Sequence, residues 1–273
     1  MICKDTKVCI SISSNPGSTG ALIHNSLYER YGLDYIYVPR ALADHQLNDS
    51  ITAVRALGIV GCSVSMPFKR RVISLLDQTD GHASFVPTVN TIKHLDGRLI
   101  GYNTDVDGVM MALGDLVSSY ECHMTPTVVG SGATAYSTVY ALSIMGFKEM
   151  YLWNRTESKA DALAGFVSAL GIRACVLKDL NALSADVLIN ASALGLDDES
   201  FPMSDDVLGM YRFVFDVVNS PKQTDLIIRA EALGLKNSTG KQMALYQALK
   251  QFEIYTDITL DIPREIEFLR CII

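Results

Sequence analysis

The chain has 273 residues, 49% of them hydrophobic and 19% charged, enough to bury a large core in one or two domains. Its formal net charge of -7 repels a phosphate backbone and argues against a nucleic-acid partner. The six cysteines contain no Cys-x-x-Cys pair, the five histidines show no metal-ligand spacing, and no apolar stretch approaches membrane-spanning length, so a reduced cytoplasmic protein without a metal or membrane site is expected.

Strand candidates fall at 8–12, 35–38, 59–64, 89–92 and 99–102, with helical patterns at 22–31, 47–57 and 68–76. Strands separated by helices favour a mostly parallel sheet with helices on its faces. Val106, Val109, Met110, Leu113 and Leu116 have helical spacing, which predicts a linking helix over 105–120. Strand and helix signals then alternate: strands at 127–129, 150–153, 173–176, 187–190 and 213–218, helices at 135–145 and 158–170. That is a Rossmann-type order. After Gly240, the residues Met243, Leu245, Tyr246, Leu249 and Phe252 predict an amphipathic helix, and a last helix follows Pro263. The expected architecture is α/β with two domains. An N-terminal mixed or parallel substrate domain takes 1–104 plus 241–273, a Rossmann-type dinucleotide domain takes 105–240, and a cleft separates them.

The stretch Val128-Val129-Gly130-Ser131-Gly132-Ala133-Thr134-Ala135 reads as a buried strand, a glycine turn and a helix, an arrangement that points backbone N–H groups at a pyrophosphate. Asn154-Arg155-Thr156 ends the next apolar segment, where an NAD-specific site places an Asp or Glu for the ribose 2′-hydroxyl. An arginine there cannot accept from a hydroxyl but matches a 2′-phosphate, so NADP is the expected cofactor.

Three further segments end strand candidates with polar groups: Ser63-Val64-Ser65-Met66-Pro67-Phe68-Lys69, Val89-Asn90-Thr91 and Gly101-Tyr102-Asn103-Thr104-Asp105. In open α/β sheets ligands bind at strand carboxyl ends. These three are therefore candidates to line one cleft.

In order and spacing, these segments together with Asn190-Ala191-Ser192 and residues 240–247 resemble the shikimate dehydrogenase family over nearly the whole chain. The resemblance implies reversible hydride transfer between NADP and a ring hydroxyl of shikimate or a close relative, within aromatic amino acid biosynthesis, by a monomer or homodimer. Carried over by position, Lys69 and Asp105 match the catalytic pair, and Asn90 and Gln247 match ligands of substrate hydroxyls. Ser131, Thr134, Asn154, Arg155 and Thr156 match NADP-binding positions, with Gly130, Gly132, Ala133 and Ser192 beside them. Val217 and Gly240 match residues next to the nicotinamide.

The same resemblance exposes departures. The family usually has Ser-x-Ser shortly before a His-Asn step, holding the substrate carboxylate; aligned on His24-Asn25, this chain has Ser18-Thr19-Gly20, and the second hydroxyl is missing. Asn219 stands where the family usually shows a substrate-contacting Tyr, Ser65 stands for Thr, and Ser63 for Asn. Ser18, Ser65 and Asn219 are thus the expected readers of the substrate's ring and carboxylate. Changes gathered on the substrate side point to weak turnover of shikimate. A quinate or amino-shikimate type dehydrogenase, or a catalytically idle NADP-binding regulatory protein, are the alternatives.

Overall fold

The computed structural model describes residues 2–117, 123–196, 200–220 and 222–272. They form two compact units, Met1–Thr104 with Gln247–Ile273, and Asp105–Tyr246. Each has its own sheet.

In the first unit, β1 (Lys7–Ser13), α1 (Thr19–Arg30), β2 (Tyr35–Ala41), α2 (Leu47–Ala56) and β3 (Gly61–Val64) alternate as the apolar spacing predicts. After them come β4 (Gln78–Thr79), β5 (Thr91–Leu95) and β6 (Arg98–Tyr102), giving a six-stranded sheet in the order β2-β1-β3-β5-β6-β4 among the described residues. The sheet is mixed: β1 runs parallel to β2 and β3, whereas β5 is antiparallel to both β3 and β6. Asp96 and Gly97, both at positive φ, form the two-residue turn that folds β5 and β6 into a hairpin. Two expectations are corrected here. The strand expected at 89–92 starts at Thr91, because Asn90 turns its side chain to Thr104 and its amide to Tyr102. The α-helix expected at 68–76 is only a 3-10 turn, Arg71–Leu75. Asp77 exchanges hydrogen bonds with Leu99, its N–H donating to the carbonyl and its carboxylate accepting the amide, and this pairing pulls the chain out of the helix into β4.

The core on one side of this sheet is built from Ile12, Leu47, Ile51, Val54, Val64, Phe68, Ile92 and Leu99. Each fully buried aliphatic side chain of this kind contributes roughly 1.5–3 kcal/mol relative to exposure. Tyr28 of α1 packs its ring on Phe252 at 5.5 Å. Phe252 lies on α8 (Gly240–Thr256), which with α9 (Ile262–Leu269) completes the chain.

The second unit begins along α3 (Thr104–Leu116); the end of the helix expected at 105–120 lies outside the described residues. Its elements are β7 (Pro126–Val129), α4 (Ala133–Ile144), β8 (Glu149–Trp153), α5 (Glu157–Ala169), β9 (Arg173–Val176), β10 (Val187–Asn190), α6 (Asp205–Leu208), β11 (Phe213–Asp216), α7 (Asp225–Ala232) and β12 (Lys236–Thr239). All pairings are parallel, in the order β12-β11-β10-β7-β8-β9. Strands β7, β10 and β11 are buried at every position, as sheet strands covered by helices on both faces must be. Strand order reverses between β7 and β10, and a ligand crevice of a doubly wound sheet opens at that point. No described helix is long and apolar enough to cross a membrane.

Candidate functional site

At the reversal in the second unit, β7 runs into Gly130, whose φ is +108°. A Cβ there would also stand 2.8 Å from the Ala191 carbonyl oxygen and 2.9 Å from the Ser192 Cβ. Both facts require glycine. The Gly130 N–H donates to the Trp153 carbonyl at 2.8 Å, which ties the turn to the end of β8. Ser131 and Gly132 follow, and α4 starts at Ala133 and Thr134 with Gly132 as its N-cap. A Cβ at Gly132 would meet nothing within 4 Å, so the space in front of the helix is open.

Just past β8, the Asn154 side-chain amide donates to the Thr156 carbonyl at 2.9 Å and braces the loop. Arg155 between them is exposed and forms no ion pair among the described residues. Open space before a helix N-terminus, at a turn that admits only glycine, beside an exposed guanidinium, fits a dinucleotide bearing a 2′-phosphate.

The carboxyl ends of β10 and β11 are joined by a polar cluster that the sequence reading did not assign. The buried Asp216 carboxylate accepts from Asn190 Nδ2 at 3.0 Å, the Val218 amide at 3.0 Å and the Thr224 hydroxyl at 2.5 Å. Burial pushes its pKa up, and these three donors oppose the rise. The Ser192 hydroxyl donates to Asn190 Oδ1 at 2.6 Å and accepts the Leu194 amide, so Ser192 shapes its own turn. This cluster holds the segment carrying Val217 and the exposed Asn219. Gly240 lies where any Cβ would run into the Val217 and Val218 carbonyls. The signal was a carboxylate inside the apolar run 213–218, where only a hydrogen-bonded role is affordable.

In the first unit the polar strand ends gather around Asn90. This side chain is 2% exposed, and its oxygen accepts the Thr104 amide at 2.8 Å and the Thr91 hydroxyl at 2.9 Å. Its nitrogen donates to Gln247 Oε1 at 3.1 Å and Thr104 Oγ1 at 3.0 Å. Asn103 Nδ2 donates to the Thr88 carbonyl and hydroxyl, which fixes the neighbouring strand end. Lys69, half-buried, sits in the turn after β3, where its carbonyl accepts the Val89 amide at 2.8 Å.

Of the residues expected to read the ring and carboxylate, Ser65 and Ser18 are exposed, and Ser18 precedes α1 without a side-chain cap bond. A Cβ at Gly20 would lie 3.7 Å from the Tyr37 hydroxyl. Asp105 is buried in the first turn of α3, where the helix N-terminus favours a carboxylate.

Behind Asn90, Ser63 of the polar strand end is bonded through its Oγ to three residues that sequence reading missed, Tyr37, Gln251 and Tyr255, with His24 stacked on Tyr37 at 4.4 Å. Gln251 stands one helical turn after Gln247. That spacing was its signal.

The family model described as the shikimate dehydrogenase substrate binding domain matches residues 16–92, and that described as shikimate / quinate 5-dehydrogenase matches residues 117–196. The chain is 34% identical over 264 residues to a shikimate dehydrogenase-like protein of Haemophilus influenzae, covering 94% of this chain and 93% of that one. It is 32% identical over 268 residues to the NADP(+) shikimate dehydrogenase of Alkaliphilus metalliredigens, covering 94% and 92%. A crystal structure of a shikimate dehydrogenase in complex with NADP+ superimposes with a TM-score of 0.86 at 30% identity, covering 100% of this chain and 98% of that one.

Proposed function

This chain belongs to the shikimate dehydrogenase family, and from that premise we propose that it is an NADP-dependent oxidoreductase acting on a ring hydroxyl of a cyclic polyhydroxy acid. The observation that carries the reading is the polar strand end of the first unit, where Asn90 meets Gln247 and the Val89 amide holds the Lys69 turn. The glycine turn at 130–134 and Arg155 supply the nucleotide side. When bound there, NADP supplies the hydride acceptor.

As the ring carbinol is oxidised its hydroxyl must lose a proton, so a base has to stand within hydrogen-bond reach. Lys69 takes that proton in the proposed mechanism. Asp105 orients the ammonium and the hydroxyl, and Asn90 and Gln247 orient the remaining ring hydroxyls. Val217 and Gly240 shape the wall beside the reacting ring. Asn90 donates to Gln247 Oε1 at 3.1 Å, which leaves the Gln247 amide hydrogens to meet a ring hydroxyl.

Gly20 and Asn219 favour a relative of shikimate, such as quinate, as the better substrate, since both withhold a hydroxyl where the family offers one. The described cysteines are all unpaired, which supports a reducing, cytoplasmic setting.

The test is NADP reduction measured with shikimate, quinate and further cyclic polyhydroxy acids, each repeated with NAD. Turnover with at least one acid and preference for NADP is the expected result. Binding of NADP without turnover of any acid would instead favour the idle, regulatory reading.

A further inference from the structure

We propose that Gln251 is a positioning residue for the substrate-reading pair: acting through Thr91, it holds the Asn90 amide in one orientation, so that Gln247 presents its amide hydrogens to the substrate. This rests on the function proposed above for Asn90 and Gln247.

Each hydroxyl has only one proton to give. The Tyr37 hydroxyl donates to Ser63 Oγ at 2.7 Å. Ser63 spends its proton on Gln251 Oε1 at 2.9 Å, so towards Tyr255, at 3.0 Å, it accepts. Burial raises the pKa of both tyrosines, and both remain donors. His24 Nε2 also faces Gln251 Oε1, at 3.4 Å. With its oxygen filled, Gln251 donates through Nε2 to the Asn90 carbonyl at 3.3 Å and to Thr91 Oγ1 at 3.0 Å.

Thr91, having accepted, gives its proton to Asn90 Oδ1 at 2.9 Å. The Thr104 amide aims at the same oxygen at 2.8 Å, and a backbone N–H can only donate, so the Asn90 oxygen is pinned. Its nitrogen must therefore face Gln247 Oε1. The chain runs one way, from the tyrosines to Gln247. An amide whose oxygen is taken from within offers hydrogens outward, and those read an acceptor: a ring carbonyl or a hydroxyl oxygen. Gln251, 5% exposed, reaches the side chains of Asn90 and Gln247 through this chain, its other links to them being the Asn90 backbone and the helix backbone it shares with Gln247.

The experiment compares Thr91→Val, which keeps the shape and loses the proton, with Thr91→Ser, which keeps the proton; Gln251→Met is measured beside them. Loss of one such bond is expected to raise KM for the ring acid about tenfold or more, with kcat and the KM for NADP changed less than about threefold. Thr91→Ser should stay within about threefold of the parent in every constant.

A readout independent of turnover is the spectrum of 15N-labelled Asn and Gln side chains in the ligand-free protein. The Asn90 pair, identified by its loss in Asn90→Asp, should exchange slowly with solvent in the parent and in Thr91→Ser and rapidly in Thr91→Val. Thr91→Val with parental exchange at Asn90 overturns the proposal, as does an equal loss in Thr91→Val and Thr91→Ser. If the parent turns over no ring acid, the assigned function fails, and the Asn90 exchange still decides the positioning role. If Gln251→Met does not fold, the Thr91 pair decides it.

Discussion

The Val89 amide donates to the Lys69 carbonyl at 2.8 Å, so the turn bearing Lys69 is fastened to the residue next to Asn90. The adjoining Phe68 is fully buried, and anchors the same turn from its other side. A lysine in a loop is ordinarily a mobile, solvated group, whereas this one has a fixed backbone. Lys69→Ala is expected to lower kcat by about two to four powers of ten, the scale for removing a positioned acid or base, with NADP affinity nearly unchanged. A variant that keeps most of its turnover would transfer the role to another group, Asp105 first.

Arg155 is exposed, has no ion-pair partner among the described residues, and sits on a loop braced by Asn154. Its guanidinium has nothing inside the second unit to stabilise, so its removal should leave the fold intact. Arg155→Ala is expected to raise KM for NADP by about tenfold or more, as loss of a charged hydrogen bond does, while KM for NAD barely moves. Equal affinity of the parent for the two cofactors, measured by calorimetry, would remove the basis of this assignment.

The second sheet was legible where its strands are short apolar runs: 187–190, buried throughout, and 173–176, a partly exposed edge strand, match the structure residue for residue, whereas the polar edge strand β12 (Lys236–Thr239) was not expected. The first sheet was less so. Asn90 belongs to the polar network instead of the ladder, and Asp77 ends the 3-10 turn by pairing with Leu99; neither long-range bond has a local signature in the sequence. The Asp96-Gly97 pair and Thr224, whose side chain caps α7, carry local signatures, yet neither that turn nor α7 was among the expected elements. Among site residues, glycine turns and charged positions carry their chemistry in their spacing. Gln251 and Ser63 acquire a role only from neighbours up to 227 residues away.

His24 is fully buried, and burial pushes its pKa down to about 4 from the ordinary 6.5. Nδ1 has no hydrogen-bond partner, so a second ring proton finds no acceptor. The unfolded chain therefore takes up a proton as pH falls through 6.5, whereas the folded protein does so only near 4. The contribution of neutral His24 is complete above 6.5 and is lost progressively between 6.5 and about 4. Between about pH 7 and about pH 5 this amounts to roughly 2 kcal/mol of unfolding free energy. His24→Phe keeps the ring on Tyr37 and removes the proton, so its urea midpoint should fall less over that interval. Identical pH slopes for parent and variant would show that His24 titrates alike in both states.

Gly20 is the second residue of α1, and a Cβ there would meet the Tyr37 hydroxyl and ring at 3.7 and 3.8 Å, ordinary contact distances. A serine therefore fits, and a helix favours it over glycine by a few tenths of a kcal/mol. Asn219 is exposed beyond β11, where a larger ring displaces no core group. The double change Gly20→Ser with Asn219→Tyr restores the hydroxyls that the family offers to the carboxylate and ring, without an expected loss of stability. Better positioning raises rate as well as affinity, because a small misplacement moves the carbinol out of hydride range. The expected outcome is a gain of at least about tenfold in kcat/KM for shikimate with NADP, equivalent to roughly 1.4 kcal/mol, from a parent that turns shikimate over poorly. A parent already working on shikimate at an ordinary enzymatic rate, or a double variant weakened in activity while keeping its melting temperature, would place the carboxylate elsewhere than beside Ser18 and Gly20.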